Sequence, residues 1–246
     1  LYIISLLIAT TDKEIQQEII ENMFSAMEKL EENGFRPCSH LVLTAYVIGR
    51  YGSARKQDEI VYKLKESYIL LKEKYNNITN EDDYLLCALW SINNIEVEVV
   101  NDFIENVYDH VADYNVRTKN GVQGLSNAII LNGSSGQMYR NMEFLLQLQK
   151  RDIKIANQFL PLVGVLSNTN PRRTVDLVEG VIEDLCDKEA EYEFYLDKGF
   201  RTIIAVVIVS FCTISDKRRY IDELLAHGVI SFINSKNKGI FEEALS

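Results

Sequence analysis

Apolar and polar positions alternate along this chain on two scales. Short, almost wholly apolar runs recur at Ile3 to Ala9, Leu41 to Tyr51, Tyr84 to Ile92, Leu125 to Leu131, Phe159 to Leu166 and Ile203 to Ile214. With Ala9, Ala45, Ala88, Ala128, Gly164 and Val206 as comparable points, the step is about 36 to 43 residues, near the period of a two-helix repeat. Each run is followed by a longer amphipathic stretch. Ile15, Ile19, Met23, Met27 and Leu30 step by four or three, as do Ile60, Leu64, Tyr68, Leu71 and Tyr75. Val100, Ile104, Val107, Val111 and Tyr114 repeat the pattern, and Val175, Val178, Ile182 and Leu185 carry it into the fifth unit. Residues three or four apart share a helix face, so each set is an apolar stripe. The predicted fold is all-α: a single domain over residues 1–246, built of about six stacked helix pairs. Such an α-solenoid-like or curved helical repeat array buries its apolar first helices, because no unit can bury its own. Period leaves curvature open, so an open array and a closed toroid both satisfy it.

The breaks carry helix start and stop chemistry. Asn33-Gly34 and Asn132-Gly133 suit left-handed C-terminal stops, and Asn170-Pro171 reads as an N-cap followed by proline at the first helical position. Ser135 suits a cap for the helix carrying Met138, Met142 and Leu145. Pro161 is tolerable if its helix starts near Gln158. Gly121-Val122-Gln123-Gly124 and Gly133-Ser134-Ser135-Gly136 lack the context of a phosphate loop and are expected to be turns. His227-Gly228 reads as a helix end, with an irregular C-terminal helix around Ile230 to Leu245. The β-branched Val206 to Val209 would have no sheet to join.

Composition narrows the class. Of the 246 residues, 47% are hydrophobic, ample for a core. The four cysteines Cys38, Cys87, Cys186 and Cys212 are dispersed without a C-x-x-C pair, which predicts neither a disulfide framework nor zinc. A cytoplasmic, reducing setting is expected. No basic segment precedes the apolar start and no cleavage signal follows it; the chain opens on Leu1, so its natural N-terminus is expected to lie upstream. Ile203 to Ile214 offers about 12 residues where a membrane span takes roughly 20. No membrane association is predicted.

Charge adds a second feature. Between Lys74 and Arg117 there is no lysine or arginine, while nine acids occur: Glu81, Asp82, Asp83, Glu96, Glu98, Asp102, Glu105, Asp109 and Asp113. Glu98, Asp102, Glu105, Asp109 and Asp113 fall opposite an apolar stripe and make one acidic face. Like charges at i,i+4 cost a helix roughly 0.2–0.5 kcal/mol per pair. Such a face serves solubility or docks a protein with a basic surface. Asn80-Glu81-Asp82-Asp83 opens an apolar helix, where negative groups are favoured by the helix dipole. His40, His110 and His227 form no ligand pair. Arg172-Arg173 and Lys217-Arg218-Arg219 are short against a net charge of −10, so nucleic acid is not an expected partner. No hydrolase, kinase or dinucleotide motif is present, and neither cofactor nor metal is implied.

Several phrases occur in a telling order: Arg36-Pro37, Leu43-Thr44-Ala45-Tyr46, Glu81-Asp82-Asp83-Tyr84, Gln123-Gly124-Leu125-Ser126-Asn127 and Leu160-Pro161-Leu162-Val163-Gly164-Val165-Leu166. Together they resemble an uncharacterised bacterial family, domain of unknown function four thousand and three, over most of the chain from Leu1 to about Cys212. In that family a histidine often follows the serine, where this chain has Asn127. The resemblance implies a bacterial, cytoplasmic helical protein and supplies no activity.

Two functional readings follow. An interaction or scaffold module ranks first, because stacked helix pairs form extended grooves and no catalytic motif is visible. The alternative is a small-molecule binder or enzyme using a groove lined by Asn80, Asp82, Asp83, Gln123, Asn127 and Gln158. A deep pocket in which these polar groups converge favours the second reading; a shallow open groove favours the first.

Overall fold

Each apolar run and each amphipathic stretch becomes a helix. The computed structural model describes residues 2–112, 119–131, 135–165, 170–192, 194–213 and 220–237. Among these there is no strand, and twelve α-helices follow in order: α1 (Tyr2–Ala9), α2 (Lys13–Glu32), α3 (Ser39–Tyr51), α4 (Gln57–Lys74), α5 (Tyr84–Ile92) and α6 (Val97–Ala112), then α7 (Lys119–Leu131), α8 (Ser135–Lys150), α9 (Leu160–Val165), α10 (Pro171–Tyr192), α11 (Lys198–Thr213) and α12 (Ile221–Asn237). Short 3-10 turns at Glu81–Asp83 and Asn157–Phe159 lead into α5 and α9. No helix among the described residues is long and apolar enough to cross a membrane.

Local chemistry sets the ends. Gly34 takes φ +87°; its N–H donates to the Glu31 carbonyl at 2.9 Å and that of Phe35 to Leu30 at 3.1 Å. Glycine suits this left-handed C-terminal stop because it has no Cβ to clash. Asn170 Oδ1 accepts from the Arg173 N–H at 3.3 Å, with Pro171 as the first residue of α10. Pro161 lies in the first turn of α9, where a missing N–H costs no intrahelical bond.

Several expectations fail. Gly121-Val122-Gln123-Gly124 is no turn but part of α7; Val122 and Leu125, three apart, are both buried and hold it as helix. Ser135 is the first described residue of α8, and its expected cap lies outside the described residues. Asn132-Gly133 and Ser134 lie outside the described residues. Ile15 is 43% exposed and does not join its stripe. The C-terminal helix starts at Ile221, not Ile230, and runs straight through His227-Gly228. Gly228 is there for close packing: a Cβ on it would overlap the Phe159 ring. Residues 238–246 lie outside the described residues.

Packing also departs from the expected pairing. Four amphipathic helices pack mainly on the apolar helix after them, α2 on α3, α4 on α5, α6 on α7 and α10 on α11, whereas α8 packs mainly on α10. The apolar helices α3, α5, α7 and α9 contact one another in series, and α2, α4 and α6 do likewise on the outside. The all-buried stretches of α3 and α5, Leu43 to Gly49 and Tyr84 to Ser91, follow from this inner position. α12 then packs against α3, α9 and the Asn157–Phe159 turn, so residues far apart in the chain meet along it.

Candidate functional site

The starts of α3, α5, α7 and α9 lie around one cavity of about 670 Å³, and α12 from His227 onward completes its wall. Ser39 and His40 come from α3. Asn80, Glu81, Asp82 and Asp83 come from the turn into α5, and Asn120, Gly121 and Gly124 from α7. Asn157, Gln158 and Pro161 enter from the start of α9; His227, Ser231, Asn234 and Ser235 descend from α12. Among the described residues no lysine, arginine, phenylalanine, tyrosine or tryptophan is in this lining.

Asp82 and Asp83 are neighbours with different tasks. Asp83 is 5% exposed. Its Oδ2 accepts from the Asn80 N–H at 3.0 Å and its Oδ1 from Asn127 Nδ2 at 3.2 Å. Burial, reinforced by the adjacent Asp82 carboxyl, pushes its pKa well up. Both oxygens are thus committed to holding the start of α5 against α7. Asp82 Oδ2 accepts from Asn120 Nδ2 at 3.2 Å, whereas its Oδ1 is buried without a hydrogen-bond partner. Burial raises this carboxyl's pKa too, opposed by His227 and Asn120.

His227 is 4% exposed. Its Nε2 sits 2.9 Å from the Asp82 carbonyl oxygen, which can only accept, so Nε2 carries the proton. That tautomer leaves Nδ1 as a lone pair, buried and without a partner. Burial lowers the imidazole pKa. His40 stands beside it, ring centroids 5.2 Å apart, and its Nε2 is hydrogen-bonded to Ser231 Oγ at 3.0 Å. In the sequence the histidines form no ligand pair. These two meet only because α12 folds back on α3, and His40 and Ser231 are 191 positions apart. No local spacing could announce them.

Of the groove residues expected from sequence, Asn80, Asp82, Asp83 and Gln158 line the cavity. Gln123 and Asn127 are fully buried in α7. Gln123 Nε2 donates to Thr79 Oγ1 at 2.8 Å, and Asn127 supports Asp83 while its carbonyl accepts from Trp90 Nε1 at 3.0 Å. The Oε1 atoms of Gln123 and Gln158 and Oδ1 of Asn127 are buried without partners. The acidic-face residues Glu98, Asp102, Glu105 and Asp109 are exposed on α6, away from the cavity; Asp113 lies outside the described residues. Glu105 pairs with Lys74 at 2.7 Å, and Glu96 with Lys63 at 3.1 Å.

Native proteins leave few buried polar groups unpaired. Here Asp82, His227 and Gln158 present such atoms on a single cavity, with Gln123 and Asn127 on its supporting helix. Among the described residues no group of three or more His, Cys, Asp or Glu is placed to hold a metal ion.

The model of the family described as "Protein of unknown function (DUF4003)" matches residues 1–238. The chain belongs to that family. No curated protein and no solved structure matches it. Within this DUF4003 chain, Asn127 occupies the position next to the Asp83 carboxylate.

Proposed function

We propose that this protein binds a small polar molecule in the cavity between the starts of its inner helices and α12. The observation that carries the reading is that two residues of a polar cavity's wall, His227 and Asp82, each hold a buried, unpartnered polar atom, Nδ1 and Oδ1. Ligand pockets characteristically place a few convergent polar groups in a concavity of this size. A neutral imidazole next to a carboxyl of raised pKa is also equipped for proton transfer, since burial moves the two pKa values toward each other and so lowers the cost of passing a proton between them. In this reading the chain is a curved helical repeat array that α12 closes, and the closure assembles the site. The dispersed free cysteines fit a reducing, cytoplasmic setting.

The test is equilibrium dialysis of the protein against a bacterial metabolite extract, followed by mass spectrometry of retained small molecules. The protein should enrich at least one compound, and Asn234→Trp, which fills the cavity from a partly exposed lining position, should abolish the enrichment. Equal retention by both forms, or none by either, would remove the reading.

A second reading keeps the acidic face of α6 as a dock for a basic protein. Glu98, Asp102 and Asp109 support it, being exposed with no ion pair among the described residues. Glu105 and Glu96, already matched by lysines, weaken it.

A further inference from the structure

We infer that the ligand of this cavity is an organic cation bearing N–H donors, an ammonium or guanidinium group seated between Asp82, Gln158 and His227. This rests on the small-molecule reading above and specifies its chemistry. The unpartnered atoms on the cavity wall are acceptors: Asp82 Oδ1, Gln158 Oε1 and His227 Nδ1. The assignment at His227 is fixed by the Asp82 carbonyl, which takes the Nε2 proton. Support behind the wall has the same polarity. Thr79 Oγ1 donates to a main-chain carbonyl, Leu71 at 3.2 Å or Tyr75 at 3.1 Å, so it accepts from Gln123 Nε2 and leaves that amide's oxygen unpartnered.

Charge points the same way. Among the described residues the lining holds Glu81, Asp82 and Asp83 and neither lysine nor arginine. Helix starts can hold anions through their free N–H groups, but several of those groups are occupied here. The Leu41 N–H donates to Cys38 Sγ at 3.4 Å, and that of Val42 to the Cys38 carbonyl at 3.2 Å. The Asp83 N–H goes to Asn80 O at 3.1 Å, the Asn80 N–H to Asp83 Oδ2, and the Phe159 N–H to Ala156 O at 2.9 Å. Pro161 has none. A phosphate or carboxylate entering this cavity would meet the carboxyl groups of Glu81, Asp82 and Asp83 with no cationic side chain among the described lining residues to offset them. An ammonium or guanidinium would satisfy the orphaned acceptors by charge-assisted hydrogen bonds, the strong kind.

Calorimetric titration of the whole chain tests this with stated probes: agmatine, putrescine and spermidine as cations, citrate and inorganic phosphate as anions, glucose as a neutral polyol. At least one cation should bind. Asp82→Asn, which keeps an oxygen for Asn120, should weaken it by roughly tenfold or more, in line with loss of a hydrogen bond to a charged group. Asn234→Trp should block binding, and circular dichroism and melting should show both variants folded. Binding of citrate, phosphate or glucose alone, blocked by Asn234→Trp, would overturn the cationic assignment while leaving a small-molecule site. No cation binding, or cation binding indifferent to both variants, would overturn it as well. A chain that also retains nothing from the metabolite extract would lose the broader reading too.

Discussion

One helix carries two buried polar regions a single turn apart, and they are opposites. Glu223 in the first turn of α12 is 1% exposed, yet its Oε1 accepts from Tyr51 Oη at 2.7 Å and from Arg50 Nη1 at 2.9 Å. Arg50 in turn donates to Tyr46 Oη at 2.7 Å. Near it Asn93 Nδ2 donates to Tyr220 Oη at 2.9 Å, and Tyr51 and Tyr220 meet edge to face. Four residues on, His227 is as well buried but ends in an unpartnered nitrogen over a cavity. Partnered burial fastens α12 to α3. Unpartnered burial gives nothing back to the fold, so its desolvation has to be offset elsewhere, and that pattern marks functional sites. The Asp82–Asp83 pair repeats the contrast in the turn before α5, with Asp83 committed and Asp82 Oδ1 available.

The sharpest way to break the comparison is at Glu223. Removing one partner of a buried ion pair strands the other, at about 3–5 kcal/mol. Glu223→Ala should therefore lower the melting temperature by roughly 10 °C, at 2–4 °C per kcal/mol for a domain of this size. Calorimetry would show it. A loss below about 1 kcal/mol would mean that the network is no fastening. Next in size is Gly228→Ala, whose new methyl overlaps the Phe159 ring and should cost about 1–3 kcal/mol as overpacking. Phe159 is followed by the first turn of α9, so the same substitution should displace Gln158 and weaken ligand retention. Chemical denaturation and dialysis measure the two effects separately.

The inner helices were legible because apolar runs long enough for helices allow no other placement, and the stripes of α4 and α6 gave their buried faces outright. The partner choice was not: α2, α4, α6 and α10 join the apolar helix after them and α8 joins α10, and pattern is symmetric with respect to direction. Asn80, Asp82 and Gln158 stood out as polar residues at the mouths of apolar helices, a local signal. His40, Ser231 and His227 gave none, because their meeting depends on α12 returning to α3. Gly228 concealed that return. A glycine after a histidine reads as a helix stop, whereas here it is the small residue that lets α12 approach Phe159.

The contrast at His227 can be sharpened by pH. Burial lowers its folded pKa, so below about 6.5 the unfolded chain takes up a proton that the folded chain refuses. Stability then falls as pH falls, by at most about 1.4 kcal/mol per unit. Asp82 and Asp83 have the opposite sign: their folded values are raised. Their contribution is complete below the unfolded carboxylate value and is lost as pH rises through the folded one. Glu81 and His40 also face the cavity. Subtracting the unfolding free energy of His227→Gln from that of the unsubstituted chain cancels what both share. The difference should shift against the unsubstituted chain from pH 7.5 to 5.5, by up to about 1.4 kcal/mol. A flat difference would mean that the imidazole titrates normally and is not desolvated.

The smallest effect belongs to a third polar region, exposed where the other two are buried. Asp102 and Asp109 project from α6 into water without an ion pair among the described residues. No desolvation is at stake there, so neutralising them removes only mutual repulsion, which solvent already screens within about 8 Å at physiological salt. Asp102→Asn with Asp109→Asn should change stability by no more than about 0.5 kcal/mol each, in the stabilising direction, and the gain should shrink as salt is added. Urea denaturation at low and high salt measures it. A loss of several kcal/mol would show that these carboxylates have partners and belong with Glu223. A loss of ligand retention with stability intact would tie the acidic face to the cavity and erase the separation between them.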